Sequence, residues 1–295
     1  MIFKNSLFKK SLSTLLALTG VLTLSITLFS IILLGKESWS FFQKVPLKDF
    51  LFGTHWAPLL EPKSFGVLPL LSGTFMIVIL SISLALPLGL LTATFLSEFA
   101  SPHWRKWLKP ALEILAGIPT VVYGYFALTF ITPLLKSIYP PTEIFNALSA
   151  SIVVGIMILP MISSLCDDAF FDFPISLKEG ALSLGATPFE FITQILYPAS
   201  LSRIGAALVL AISRAIGETM AVTIAAGATP KITLNPFESI QTMTAYIVQV
   251  SLGDTPAGGI EYQTCFAVGA LLFILTFFFN WIGHKIMTRW SWELS

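Results

Sequence analysis

The chain has 295 residues, of which 55% are hydrophobic and 11% charged, and its mean hydropathy is +0.83. A soluble domain carries about 25% charged residues, so the composition excludes an ordinary soluble protein and points to a polytopic membrane chain. The net charge of +1 excludes the basic surface that nucleic-acid binding requires.

Six apolar stretches approach the roughly 20 residues that a bilayer core demands: 11–34, 68–96, 111–135, 147–166, 202–226 and 262–284. The first follows Lys4, Lys9 and Lys10 and ends in LLGKES without a small-x-small cleavage pattern, so it reads as an uncleaved span. The second is over-long and contains Pro87, the third contains Pro119 within GIPTVVYG, and the fourth contains Pro160. Proline removes a backbone donor and clashes with the preceding turn, which predicts bent helices. Connections 35–67 and 227–261 fall on one side of the membrane, the latter with a candidate short helix in NPFESIQTMTAYIVQV. Connection 167–201 falls on the other. The expected fold class is all-α and polytopic, with six transmembrane helices: 1–67 holds the first span and its outer connection, and 68–290 the core.

With the N-terminus inside, the inner segments hold Lys4, Lys9, Lys10, Arg105, Lys106, Lys109, Lys178, Arg203, Lys285 and Arg289, against Lys36, Lys44, Lys48, Lys63, Lys136 and Lys231 outside. The clusters HWRKWLK and HKIMTRW hug the membrane on the same inner side. The bias places both chain ends in the cytoplasm. Trp39, Trp56, Trp104, Trp107, Trp281, Trp290 and Trp292 sit near span ends, as interface anchors do. Cys166 and Cys265 lie in apolar runs and read as buried volume, and His55, His103 and His284 are too scattered for a metal cluster, so no metal site is expected.

The inner connection, CDDAFFDFPISLKEGALSLGATPFEFITQILYPAS, offers two short helices parted by Gly185. Asp172 or Ser176 is placed to cap the first. Thr187 with Glu190 forms a candidate capping box at the second, with Pro188 at its first position. Apolar Ala181, Leu182, Leu184, Phe189 and Phe191 make this either a knob for a partner's groove or a hairpin resting on the membrane. Asp167, Asp168 and Asp172 read first as a solvated acidic helix end. The run Glu179-Gly180-Ala181, three residues, Gly185, nine residues and Ile195-Leu196-Tyr197-Pro198 resembles the EAA loop of ABC-transporter permeases. It departs at Gly180, where the family has alanine, and at Tyr197, where it has leucine. The resemblance implies that Glu179, Gly180, Ala181, Gly185, Ile195 and Pro198 belong to a coupling loop that docks on a separate ATP-hydrolysing subunit. This chain has no G-x-x-x-x-G-K-[ST]. No cofactor and no catalytic residue are therefore expected in it, and ATP and Mg would be bound by the partner ATPase.

The fifth span contains SRAIGETMAVTIAAGA, residues 213–228. Arg214 falls near mid-membrane, and a continuous helix would put Glu218 one turn on, along the same face. A charge against lipid costs about 2.5–3.5 kcal/mol on insertion scales, so this face must meet a partner helix or a water-filled path. Two readings stay open: an internal ion pair that fixes packing, or an anion path in which the guanidinium fork grips an oxyanion and the carboxylate competes for it. Ser213 and Thr219 are candidate neutral donors. Gly205, Ala206, Ala207, Ala211, Ala215, Gly217 and Ala221 suit either tight packing or a passage.

SRAIGETMAV, with ILAGIPTVVYGYFAL at 114–128 and HWAPLLEPKSFGVLPLLSGT at 55–74, resembles the phosphate-specific ABC permease family, in its PstC-type member. The resemblance implies a type I importer (MetI-like) architecture and an inner-membrane location. It also implies a complex with a homologous PstA-type permease, two cytoplasmic ATPase subunits and an external phosphate-binding protein. Arg214 and Glu218 match the residues implicated in phosphate translocation. The alternatives are a permease for sulfate or molybdate, a gradient-driven secondary transporter, and, more weakly, a non-transporting scaffold.

Overall fold

The computed structural model describes residues 6–290 except 254 and 257, with side chains from 12 to 285. The side chains of Lys4, Lys9, Lys10, Arg289, Trp290 and Trp292, used above for orientation and anchoring, lie outside the described residues. In chain order the helices are α1 Ser6–Phe42, α2 Leu47–Phe52, α3 Leu68–Phe99, α4 Pro102–Ala116, α5 Thr120–Ile138 and α6 Ala147–Phe171. They continue as α7 Ile175–Ser183, α8 Pro188–Ala199, α9 Leu201–Ile216, α10 Met220–Ala225, α11 Met243–Leu252 and α12 Ile260–Trp290. A small antiparallel hairpin, β1 Trp56–Ala57 with β2 Ser64–Phe65, precedes α3. Five of these helices are long and apolar enough to cross a membrane, and six if α8 and α9, bent by 69° at their junction, count as one broken span.

The spine is α3 against α6. Small residues let the two backbones meet: a Cβ added at Gly89 would sit 2.7 Å from Ile162 Cγ2, and one at Gly155 only 3.2 Å from the Ser81 carbonyl. Buried hydroxyls are satisfied across the same contact, Ser81 donating to the Ser151 carbonyl at 3.0 Å and Ser163 to that of Gly89 at 3.3 Å. At one end of the spine lie 172–201 and α4, called here the loop end. At the far end, segment 227–242 closes over the start of α6. There the amides of Ala147 and Leu148 donate to the carbonyls of Glu238 and Pro236, and Asn146 accepts from Ser149 N–H at 2.8 Å. These bonds satisfy donors that a helix start leaves orphaned. A second core at the far end gathers Phe41, Phe50, Trp56, Leu70, Met243 and Tyr246. Trp56 is thus a core residue, not an interface anchor.

α1 behaves differently. Every described residue from Leu12 to Leu33 is exposed, and the hydroxyls there satisfy themselves: Thr23 donates to the Thr19 carbonyl, Ser25 to Val21, Thr27 to Thr23 and Ser30 to Ile26. Such back-bonding makes a Ser/Thr-bearing helix tolerable in hydrocarbon.

Two expected spans need redrawing. The third does not bend at Pro119 but breaks there. Gly117 ends α4, Pro119 takes the cap position of α5, and a residue before proline is biased out of helix. Residues 111–116 thus belong to the amphipathic α4, and the Tyr123 hydroxyl donates to the Leu115 carbonyl at 2.7 Å across the break. The fifth ends at Ile216 and resumes at Met220 as α10.

Candidate functional site

α9 presents two unlike faces. Ala207, Ala211 and Ala215 are buried against the spine, whereas Arg203, Leu210, Arg214 and Gly217 are exposed, and Gly205 and Ala206 are not fully covered. A Cβ at Gly205 would meet nothing within 4 Å. The small residues therefore divide, the alanines at 207, 211 and 215 serving packing, Ala206 and Gly217 lying toward the side of Arg214, and Gly205 facing open space on the opposite side of the helix. Arg214 stands eleven residues along the helix from Arg203, about 16 Å at 1.5 Å per residue. Among the described residues its guanidinium has one hydrogen-bond partner, the Met157 sulfur at 4.0 Å.

The same-face relation expected of Arg214 and Glu218 does not hold. Gly217 closes α9, its N–H donating to the carbonyls of Ser213 and Ala215, and the chain turns before α10 starts. Glu218 is swung into the interior and is 5% exposed. Its Oε1 accepts from Ala221 N–H at 3.2 Å, at the first turn of α10, and its carbonyl accepts from the Thr244 hydroxyl of α11 at 2.7 Å. A carboxylate there also faces the positive end of the short helix. Among the described residues the two charges form no ion pair. The internal-pair reading is overturned, and so is direct competition by Glu218 for the guanidinium's donors in this conformation.

Of the neutral donors, Thr219 bonds the Gly217 carbonyl at 3.0 Å. The Ser213 hydroxyl is shared between the Val209 carbonyl and Asn280 Oδ1, each at 2.9 Å. Asn280, Met157 and Thr244 were not singled out from the sequence. Asn280 left a signal, an amide within the run FILTFFFNWIG, apolar but for Thr276 and the Trp281 indole.

At the loop end, α7 and α8 form the expected helical hairpin. Gly185 takes a left-handed φ of +89°, which favours glycine. Thr187 and Glu190 form the capping box: Thr187 Oγ1 accepts from Glu190 N–H at 3.3 Å, and Glu190 Oε2 accepts from Thr187 N–H at 2.8 Å. The Thr187 N–H foremost, and then the Thr187 hydroxyl, which also donates to Oε2 at 2.8 Å, hold the Glu190 carboxyl below the usual range. The first helix is not capped by Asp172 or Ser176. Pro174 stands at its cap, while Asp172 ends α6 and pairs with Arg203 at 2.8 Å.

One face of the hairpin turns inward through Ala181, Phe191, Ile192 and Leu196, while Glu179, Gly180, Gly185 and Pro198 are exposed and Ile195 is half-buried. Leu184 is 91% and Phe189 73% exposed at its tip. Lys178 pairs with Glu98 of α3 at 2.6 Å. Tyr197, the departure from the EAA pattern, reaches Thr94 of α3 with its hydroxyl at 2.8 Å and stacks on Phe170. Gly180 has free space where a Cβ would stand, so nothing in the packing explains that departure.

The acidic patch is also not simply solvated. Asp167 is 0% exposed and lies 2.9 Å from Arg105 and 3.2 Å from Lys109, with Lys109 also 3.0 Å from Asp168. Its Oδ1 has no hydrogen-bond partner among the described residues. The nearby carboxylates, that of Asp168 first, hold the Lys109 ammonium above its usual range against desolvation. Cys166 and Cys265 are both free thiols.

Residues 85–290 match the family described as "Binding-protein-dependent transport system inner membrane component". The chain is 36% identical to a probable ABC transporter permease protein, YqgH, of Bacillus subtilis over 82% of this chain and 78% of that protein. It is 31% identical to the phosphate transport system permease protein PstC of Haemophilus influenzae over 96% and 93%. In fold it resembles a bacterial ABC transporter involved in import of the acidic polysaccharide alginate, with a TM-score of 0.61 and 19% identity over 95% of this chain and 99% of that one. It also resembles an inward-facing MetNI methionine ABC transporter, with a TM-score of 0.56 and 18% identity over 77% and 94%.

Proposed function

The chain belongs to the inner-membrane components of binding-protein-dependent transport systems, the permease subunits of ABC importers, and from that premise we propose that its cargo is phosphate and that Arg214 lines the path. One observation carries the reading: a guanidinium in the last turn of α9, within the broken fifth span, exposed and without an anionic partner among the described residues. Against lipid it would cost about 2.5–3.5 kcal/mol, whereas against a path it offers a planar fork matched to two oxygens of one anion. The phosphate systems among the relatives support this choice of oxyanion.

Half a path requires another half. A homologous sister permease faces the open side of α9, an external phosphate-binding protein delivers cargo at the far end, and two ATPase subunits, holding ATP and Mg, grip the tip around Leu184 and Phe189. Residues Glu179, Gly180, Ala181, Gly185, Ile195 and Pro198 carry that docking. The loop end faces the cytoplasm with both chain termini, an orientation supported by Arg105, Lys109, Lys178 and Arg203 engaging acidic partners at one end of the spine. Glu218 serves the path indirectly, by fixing α10 and α11 beside it.

The test is ATP-driven phosphate uptake by the complete complex in proteoliposomes. Arg214→Ala is expected to assemble normally and to lower uptake at least about tenfold, the loss of one charge-assisted contact. Uptake at the wild-type rate would overturn the assignment. Sulfate or molybdate competing better than phosphate would keep the permease and replace the cargo.

A further inference from the structure

Resting on the anion-path reading, we infer that Asn280 is a second contact on that path, a neutral donor on α12 at the level of Arg214. The observation is a surplus of donors with nowhere to go. From Leu271 to Ile282 the side chains are apolar except Thr276, Asn280 and the Trp281 indole. The Asn280 amide sets its oxygen on the Ser213 hydroxyl at 2.9 Å and gives one N–H to the Thr276 carbonyl at 2.9 Å. An amide has two N–H donors, and the second has no partner among the described residues. The side chain is exposed. Ser213 is the residue before Arg214, so Asn280 lies at the same depth along α9, on the side where α12 packs.

The open side of α9 between these two positions carries Gly217 above, Leu210 one turn below, 48% exposed, and Ala206 a further turn down. It is therefore edged by Arg214 on one flank and an amide N–H on the other. Both offer donors. An oxyanion is the ligand class that satisfies such a set, because it accepts at several oxygens and brings the missing charge. A merely structural amide, tying α12 to α9 through Ser213, would have no use for an exposed second N–H at this depth. The Ser213 hydroxyl then acts as a positioning group: with its one hydrogen shared between Val209 and Asn280, it fixes the amide's orientation.

The experiment uses the complete complex in proteoliposomes with saturating phosphate-loaded binding protein, and reads phosphate moved per ATP hydrolysed together with complex yield and melting temperature. Asn280→Asp, which replaces the donor with an anion, is expected to lower that ratio at least about tenfold while ATP hydrolysis persists. Asn280→Leu should lower it about threefold or more, and Asn280→Gln, which retains the amide, should stay within about twofold. Should Asn280→Asp not assemble, Asn280→Leu and Asn280→Gln carry the comparison. A wild-type ratio in assembled Asn280→Leu overturns the inference, as does a loss of uptake that only follows yield and melting temperature. Arg214→Ala in the same assay separates the two claims. If it transports normally, the path reading has failed; if it is inactive while the Asn280 variants are normal, only the present inference has.

Discussion

Asp167 shows how a single residue can be misread from its neighbours in the chain. Beside Asp168 and Asp172 it looks like a solvated acidic end, yet it is buried and clamped by Arg105 and Lys109. Those cations arrive on α4, a distant amphipathic helix, so nothing near Asp167 in sequence announces them. Asp167→Asn would leave Arg105 facing an amide and Lys109 with Asp168 alone. The expected cost is about 2 kcal/mol, below that of a fully enclosed pair because Arg105 and Lys109 keep contact with solvent. It is checked by the melting temperature of the purified complex, and an unchanged value would mean that the cluster contributes no net stability. Arg214 was legible because a mid-span arginine is expensive wherever it stands. Glu218 was legible as an anomaly but not as to its place, since a two-residue break after Gly217 redirects the chain and turns an expected surface neighbour into a buried cap.

Among the elements, the hairpin of α7 and α8 was read most fully. Gly185 and the Thr187–Glu190 box are local signals, and local hydrogen-bonding chemistry decides both. The broken third and fifth spans were read least well. Hydropathy runs straight across Gly117–Pro119 and Gly217–Thr219, so a window of apolar residues cannot see that the backbone stops being helical. At Gly185 an added Cβ meets no neighbour, so any penalty comes from the backbone, about 1–2 kcal/mol for an ordinary L-residue with left-handed φ. Gly185→Val is expected to weaken ATPase association and coupling, whereas Gly185→Asn, a residue that tolerates this conformation, should be milder. Co-purification of the ATPase and phosphate-stimulated hydrolysis measure both. Equal effects would indicate that side-chain bulk at the docking surface, not backbone strain, is what matters there.

Across the whole molecule, the α3–α6 spine joins two differently built ends. The loop end is held by ion pairs and by Tyr197 and Lys178, which tie the hairpin to α3, while the far end is held by aromatic contacts among Phe41, Phe50, Trp56 and Tyr246. The hairpin is thus tied to the spine directly through α3, and both spine helices pack against α9, which carries Arg214. Gly89→Ala would place a methyl 2.7 Å from Ile162 Cγ2 and 3.0 Å from its Cβ. Overpacking of this kind costs about 1–3 kcal/mol. The expectation is a lower melting temperature with uptake and hydrolysis impaired together; normal stability would show that the helix pair yields more readily than its close contact suggests.

One consequence concerns α1. Its 37 residues reach about 56 Å, well beyond a hydrocarbon core of about 30 Å, and among the described residues it is fastened to its own chain near one end, through Ser38, bonded to the Phe266 carbonyl, and Phe41 in the far core. A rod pinned at one tip cannot transmit a push from the other. Within this subunit the described contacts of α1 lie at its far-core end, on the last helix and the far core. Its exposed length, residues 12–33, is left to whatever lipid or protein lies alongside.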